Sequence, residues 1–250
     1  DPFPVLEFKN FLNKKEAAKA YEIIKNIKDF DEENEMGGRN NLRKGTKKHK
    51  KFLKENSLFR GLYSFFNDEK QFHFLYKELK ALSEKSKAKY EPKYIQNKIN
   101  KDYYAYKSTV HKKNYLKRIK NYFWSKLPSS ARELKKLLFF YFFIAKATKG
   151  YTTGPHLDKK TRIIIFLIYF NKLPKDSGGS LEVYSQNSKN TPNNEKNLKN
   201  GRWSGIFDVS KSGLSLAHKV KPEPGKMVCF LANPISFHNA ELMKLNKVNR

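Results

Sequence analysis

The second half of the chain is a series of short apolar runs separated by turn signals, and this pattern restricts the folds it can adopt. Each run is rich in aromatic or β-branched residues. The runs occupy residues 139–145, 162–170, 180–184 and 225–231. Gly178-Gly179 and the stretch 222–225 provide turns between them. Strand-sized runs without long helices between them favour an antiparallel sandwich or barrel.

In the first half of the chain, a short strand-like stretch at 1–12 is followed by segments whose apolar residues have helical spacing. Asn13 and Glu16 have the spacing of a capping box, which marks the beginning of a helix. Apolar residues then recur over 17–27 at the interval of one helix face. Further helices are predicted over 72–82 and 116–127, and a short one from Ser130. The tract 29–51 lacks this rhythm, so we expect a loop there.

These patterns predict an α+β chain with a mainly β core in one domain, 1–250. Residues 1–138 would form a mostly helical support region with a basic insertion, covering one face of the sheet. Residues 139–250 would form the β core, with a final strand that is shortened or incomplete. The Asn-rich tract 185–201 has almost no apolar residues and is expected to leave the sheet as a long excursion.

The charge of the chain is strongly positive, with 52 Lys and Arg against 24 Asp and Glu and a formal net charge of +28. Such a field attracts polyanions. Over 101–136, lysines alternate with tyrosines, a combination that can neutralise phosphates and stack on bases. We therefore consider contact with nucleic acid or another polyanion through 101–136. The alternative is a solvated basic helix whose aromatic face packs in the core.

Cysteine content and hydropathy limit the classes of protein to which this chain can belong. The single cysteine, Cys229, excludes a disulfide within this sequence and a thiol metal cluster. A small core residue is its simplest interpretation, and a cytoplasmic, reducing compartment fits. The longest apolar run, 137–145, is far shorter than the roughly 20 residues that a membrane-spanning helix needs. No membrane span is expected.

The stretch GPHLDKKTRIIIFLIYFN, residues 154–171, places His156 and Asp158 directly before a strand built to be buried. In an extended segment, side chains two residues apart project from the same face. His238 follows another strand-like run and can arrive from a different strand. Two imidazoles and one carboxylate form a facial triad with open positions, which suits non-haem Fe(II). The alternative is a polar turn together with an ordinary buried histidine.

Five motifs in this order resemble the Fe(II)- and 2-oxoglutarate-dependent dioxygenases, in the branch with the prolyl hydroxylases. The motifs are His156-Leu157-Asp158, Arg162, Tyr169-Phe170-Asn171, Gly178-Gly179-Ser180-Leu181 and His238. The likeness is tight over 150–184 and 222–250, and loose over 30–140. It implies a double-stranded β-helix of the jelly-roll or cupin type, with the metal inside one mouth and the N-terminal helices as support.

The resemblance also implies roles for individual residues. The implied iron ligands, which are also the catalytic residues, are His156, Asp158 and His238. A basic residue after the distal histidine would pair with the far carboxylate of 2-oxoglutarate. Arg250 is favoured because a guanidinium binds a carboxylate at two points, and Lys247 is the alternative. Tyr169 matches a tyrosine that reaches the same carboxylate in some members, or it is a core tyrosine with a bonded hydroxyl.

The implied activity uses Fe(II), O2 and 2-oxoglutarate as co-substrate to hydroxylate an unactivated C–H bond. The motifs favour a protein or peptide side chain as substrate, with proline as one candidate. An oxygenase acting on nucleic acid or another polyanion is the second hypothesis. A small molecule such as a free amino acid, and a non-catalytic β-helix binding module, stay open as well. Arg162 is expected to pin the turn after Asp158 rather than to act in catalysis.

Overall fold

A computed structural model describes residues 2–33, 38–85, 142, 144–158, 162–186, 209, 213–232 and 235–244. Several predictions from the sequence concern other residues. Outside the described residues lie the helices predicted over 116–127 and from Ser130, the basic segment 101–136, most of the tract 185–201, Lys247 and Arg250.

The first helix begins at the predicted capping box. α1 spans Lys14–Lys25. Asn13 Oδ1 accepts a hydrogen bond from the backbone N–H of Glu16 at 2.9 Å, and Glu16 Oε2 accepts one from the N–H of Asn13 at 3.0 Å. The buried side chains of the helix are Ala17, Ala20 and Ile24. The predicted spacing is therefore confirmed.

The prediction of a loop over 29–51 is wrong. The tract contains β2 (Glu32–Glu33), β3 (Arg39–Leu42) and the beginning of α2 (Lys47–Glu55). Thr46 caps α2, since its hydroxyl accepts a hydrogen bond from the N–H of His49 at 3.1 Å. Only His49 and Phe52 of this helix are buried, one turn apart. So small a buried face produces almost no apolar rhythm in the sequence.

Two further helices complete the helical layer. They are α3 (Ser57–Phe66), which the sequence did not predict, and α4 (Glu69–Lys85), which confirms the helix predicted over 72–82. Phe59, Leu62 and Phe66 on α3 are buried. The ring of Phe66 lies 4.8 Å from that of Phe166 in the sheet, measured between centroids. The aromatic face of α3 thus joins the helices to the sheet.

The strands form three antiparallel sheets within the described residues. The remaining strands are β1 (Val5–Phe8), β4 (Ile144–Ala147), β5 (Ile164–Ile168), β6 (Leu181–Gln186), β7 (Leu214–Val220), β8 (Met227–Leu231) and β9 (His238–Ala240). The strand orders are β1-β8-β5, β2-β3-β4 and β7-β6-β9. β5 and β8 lie inside predicted runs and β6 begins inside one, while β4 begins at the end of the run 139–145, most of which lies outside the described residues. β7 and β9 were not predicted, and β6 continues into the tract that was expected to leave the sheet.

The central β1-β8-β5 sheet lies between the helices and the β7-β6-β9 sheet. On one face of β8, Met227 and Cys229 pack into the cluster that contains the helix side chains. On the other face, Val228 and Phe230 pack into the cluster that contains β6 and β7 side chains. Cys229 is fully buried, and burial raises the pKa of its thiol to about 12. This agrees with a core role for the cysteine.

The fold is therefore a mixture of helices and antiparallel sheets, as predicted. The double-stranded β-helix, the single domain 1–250 and the cytoplasmic location stay predictions. Among the described residues, none of the helices has the length and apolar character needed to cross a membrane.

Candidate metal centre

Two histidines lie directly opposite each other at the edge of the β7-β6-β9 sheet. His238 is the first residue of β9, and His156 forms a β-bridge with it. The N–H of His156 donates to the carbonyl oxygen of His238 at 2.9 Å, and the reverse hydrogen bond measures 3.1 Å. The two ring centroids are 4.4 Å apart. The prediction that His238 arrives from a different strand is confirmed.

Asp158 completes a cluster of three groups. One nitrogen or oxygen atom from each of His156, Asp158 and His238 lies within 4.8 Å of the other two. His238 Nε2 and Asp158 Oδ2 are 3.4 Å apart. Asp158 and His238 are buried, and His156 is partly buried. The three side chains therefore converge on one point, as the spacing in the sequence predicted.

Backbone carbonyl groups orient both imidazole rings. His156 Nδ1 lies 2.8 Å from the carbonyl oxygen of Gly154, and His238 Nδ1 lies 2.8 Å from that of Ser236. A ring nitrogen that donates to a carbonyl carries the proton, so Nε2 of each ring keeps its lone pair. Gly154 adopts a φ of 63°, a left-handed conformation that glycine accommodates easily. Nε2 is the atom that each ring presents to the cluster.

Protonation also favours metal binding here. Burial, together with the neighbouring His238, lowers the pKa of His156 to about 4, so its ring is neutral at pH 7. Burial alone would raise the pKa of Asp158, but the nearby His238 and the charge of Arg162 outweigh it. The pKa of Asp158 is held below its usual value, and the carboxylate is ionised. A neutral imidazole and an ionised carboxylate are forms that bind a metal.

The two oxygens of Asp158 have different surroundings. Oδ1 accepts a hydrogen bond from Arg162 Nη1, an ion pair that fixes the plane of the carboxylate. Oδ2 is buried without a hydrogen-bond partner. A buried carboxylate oxygen without a partner is costly. A cation bound beside His238 would satisfy it, so the donor set fits a metal ion.

The chemistry of the donors fits iron in particular. Two imidazole nitrogens and one carboxylate oxygen leave further coordination positions open, which suits non-haem Fe(II). A comparison with protein families agrees with this. Residues 142–249 match the 2OG-Fe(II) oxygenase superfamily.

The match supports the resemblance read from the sequence, and it contains all three residues of the cluster. The superfamily uses Fe(II), 2-oxoglutarate and O2, and the cluster of His156, Asp158 and His238 can hold the iron. The prolyl-hydroxylase-like branch stays a prediction. No curated protein matches the chain.

Behind the histidines, a polar network joins the strands that carry them. Asn239 Nδ2 donates to Glu182 Oε2 of β6 at 2.7 Å. On its other side, Asn239 Oδ1 accepts hydrogen bonds from the hydroxyls of Thr152 and Thr153, both at 3.2 Å. Asn239 and Glu182 are buried. One carboxamide thus links β9, β6 and the segment that leads to His156.

Sequence reasoning missed this network. Its signal was present, because Glu182 stands between two apolar residues, Leu181 and Val183, and Asn239 directly follows a candidate ligand. Hydrophobic patterning treats such residues as solvent-facing positions of an alternating strand. Here both are buried, and Asn239 donates a hydrogen bond to Glu182.

Tyr169 is a candidate 2-oxoglutarate residue that the structure describes. It is buried, follows β5 and packs in the cluster between the two sheets, together with Leu181 and Phe230. Phe230 in turn contacts His238, with ring centroids 4.9 Å apart. Tyr169 therefore lines the same space between the sheets, which fits the core interpretation. Its contact with 2-oxoglutarate stays a prediction, as do the roles of Lys247 and Arg250.

Proposed function

We propose that this protein is an Fe(II)- and 2-oxoglutarate-dependent dioxygenase that hydroxylates an unactivated C–H bond. The observation that carries the proposal is the convergence of His156, Asp158 and His238, with Asp158 Oδ2 buried and without a partner. His156, Asp158 and His238 would hold the iron through Nε2, a carboxylate oxygen and Nε2. The bound iron would supply O2 activation coupled to conversion of 2-oxoglutarate to succinate and CO2, with one oxygen atom entering the substrate.

The protein's own part in this reaction is to present the ligands in their binding forms and positions. The carbonyl groups of Gly154 and Ser236 hold both rings with Nε2 towards the cluster. Arg162 orients the carboxylate of Asp158. For the co-substrate, we propose that Arg250 pairs with the far carboxylate of 2-oxoglutarate, with Lys247 as the alternative and Tyr169 as a further donor. This arrangement rests on the family resemblance.

The proposed substrate is a side chain of a protein or peptide, with proline as one candidate residue. The order of the five motifs in the sequence supports a protein or peptide substrate. The net charge of +28 supports a second candidate, an oxygenase acting on nucleic acid or another polyanion held along 101–136. A non-catalytic binding module would bind iron without any turnover of 2-oxoglutarate.

The experiment that tests this function measures O2-dependent formation of succinate from 2-oxoglutarate by the purified chain with Fe(II). We expect turnover in the wild type and its loss in His156→Ala, because one of three ligands is removed. His218→Ala is the matched control. This histidine lies on β7, partly exposed, with Nε2 3.2 Å from Glu7 Oε1, and its loss should leave turnover unchanged.

Iron binding measured in the same variants separates the alternatives. Stoichiometric Fe(II) binding that survives in His156→Ala would contradict the proposed centre. Iron binding in the wild type without 2-oxoglutarate turnover, across peptide, nucleic-acid and amino-acid substrates, would favour the binding module instead.

A further inference from the structure

α2 carries a density of positive charge that the other described helices lack. It has five lysines and one glutamate in its nine residues. α1 has four lysines and two glutamates in 12 residues, and α4 has four lysines and three glutamates in 17 residues. A general excess of lysine in the chain would affect all three helices alike. Composition alone therefore does not explain α2.

The lysines of α2 form one solvent-facing stripe. Its members are exposed and recur at the interval of a helix face: Lys47, Lys50, Lys51 and Lys54. The opposite face of the helix buries His49 and Phe52 in the molecule. The stripe runs over eight residues, 47–54, or about 10 Å from first to last at the rise of an α-helix. We refer to these four residues as the lysine stripe.

Little within the described part of the chain neutralises the lysine stripe. Lys51 lies 3.9 Å from Glu55, an exposed pair that contributes little. Lys47, Lys50 and Lys54 make no ion pair with any described residue. An exposed arginine flanks the helix on each side, Arg43 before it and Arg60 after it. The result is a compact cationic surface.

We propose that the lysine stripe binds the phosphodiester backbone of nucleic acid. Ammonium groups bind phosphates as point charges and do not read base edges, so the contact would be independent of sequence. A length of about 10 Å matches about three successive phosphates of one strand. The exposed positions of α2 are all charged and offer no aromatic side chain for stacking on unpaired bases. Duplex backbone is therefore the favoured form.

An anionic membrane surface fits the lysine stripe less well. A helix that lies in a membrane interface inserts an apolar face beside its basic residues. The apolar face of α2 is already used, since Phe52 packs in the core with α3 and α4. The proposal does not depend on the oxygenase activity, and it concerns other residues than the basic segment 101–136.

The test measures binding of the full chain to a short fluorescein-labelled DNA duplex by fluorescence anisotropy, over a series of salt concentrations. The variant replaces all four lysines of the stripe by Gln. We expect its association constant to fall at low salt. The plot of log association constant against log salt should become less steep by roughly 3, since each phosphate contact contributes about 0.9.

The matched control removes four exposed lysines on and after α1: Lys14→Gln, Lys15→Gln, Lys19→Gln and Lys28→Gln. It changes the net charge by the same amount, so a general electrostatic attraction would weaken equally in both variants. We expect the control to keep nearly the wild-type slope. Circular dichroism verifies that both variants are folded. If the fourfold variant does not fold, the double variant Lys50→Gln/Lys54→Gln replaces it. We expect the double variant to show about half the change in slope.

Three results would overturn the proposal. The first is a wild-type chain that does not bind the duplex. The second is an equal loss of binding in the control variant. The third is binding to vesicles of phosphatidylserine and phosphatidylcholine that depends on the same lysines and exceeds binding to the duplex.

Discussion

At the scale of single residues, the candidate site depends on how each ligand is held. The pairing of Asp158 with Arg162 leaves one carboxylate oxygen for the metal, and carbonyl groups leave one nitrogen of each imidazole. The sequence could predict His156 and Asp158, because their spacing in an extended segment places them on one face. The hydrogen-bond partners of Asn239 could not be predicted, since they come from two other segments.

Asn239 provides a prediction at this scale. In Asn239→Asp, a second carboxylate would lie beside Glu182, where the amide now donates at 2.7 Å. We expect repulsion between the two carboxylates to displace β9. The affinity of the site for Co(II), a stand-in for iron, should then fall by about tenfold or more. In the double variant Asn239→Asp/Glu182→Gln, an amide again faces a carboxylate. Affinity should recover substantially, as measured by calorimetric titration.

Ser185→Ala is the control for this pair of variants. Ser185 lies on the same strand as Glu182, but its hydroxyl contacts Ser215 at an exposed position. Its loss should not change Co(II) affinity. If Asn239→Asp binds Co(II) as the wild type does, or if the double variant shows no recovery, Asn239 does not position the ligands.

At the scale of elements, the sequence predicted those helices and strands that have a strong local signal. The capping box of α1, the periodic α4 and the apolar runs of β5, β6 and β8 have such signals. α2 was missed because it buries only two side chains, and β9 because it has three residues and forms through pairing with β6. Short elements of this kind are specified by tertiary contacts, which a local pattern does not contain.

The glycine turn before β6 yields a prediction for an element. Gly178 has a φ of +74°, and a Cβ atom there would lie 1.8 Å from the carbonyl oxygen of Leu242. The next residue, Gly179, donates its N–H to the carbonyl oxygen of Glu241 at 3.1 Å. Gly178→Ala must therefore move backbone at the junction between β6 and the segment after β9. We expect it to lower the free energy of unfolding by about 2 kcal/mol or more.

Urea unfolding measures this change, and Gly61→Ala is its control. Gly61 lies inside α3, where an added Cβ atom meets nothing within 4 Å. Replacing a glycine inside a helix should raise stability by about 0.5 to 1 kcal/mol. Equal stability of Gly178→Ala and the wild type would show that this junction is not tightly packed.

At the scale of the whole molecule, a helical layer covers one face of the central sheet, and the second sheet carries the candidate site. The described helices contact that face of the sheet, as Phe66 does with Phe166. The opposite face of that sheet, through Phe230, packs against His238. The apolar strand after Asp158 belongs to this central sheet. All five residues of that strand, β5, are partly buried.

The central claim is that His156, Asp158 and His238 hold an iron that binds 2-oxoglutarate. A crystal structure of the chain with Fe(II) and an unreactive 2-oxoglutarate analogue, prepared without oxygen, tests it most directly. We expect anomalous scattering from one metal bound to Nε2 of both histidines and a carboxylate oxygen of Asp158, with the analogue at two further positions. We also expect Arg250 or Lys247 at the far carboxylate. A metal bound elsewhere, or one whose coordination positions are all filled by protein, would show that these three residues do not form the proposed centre.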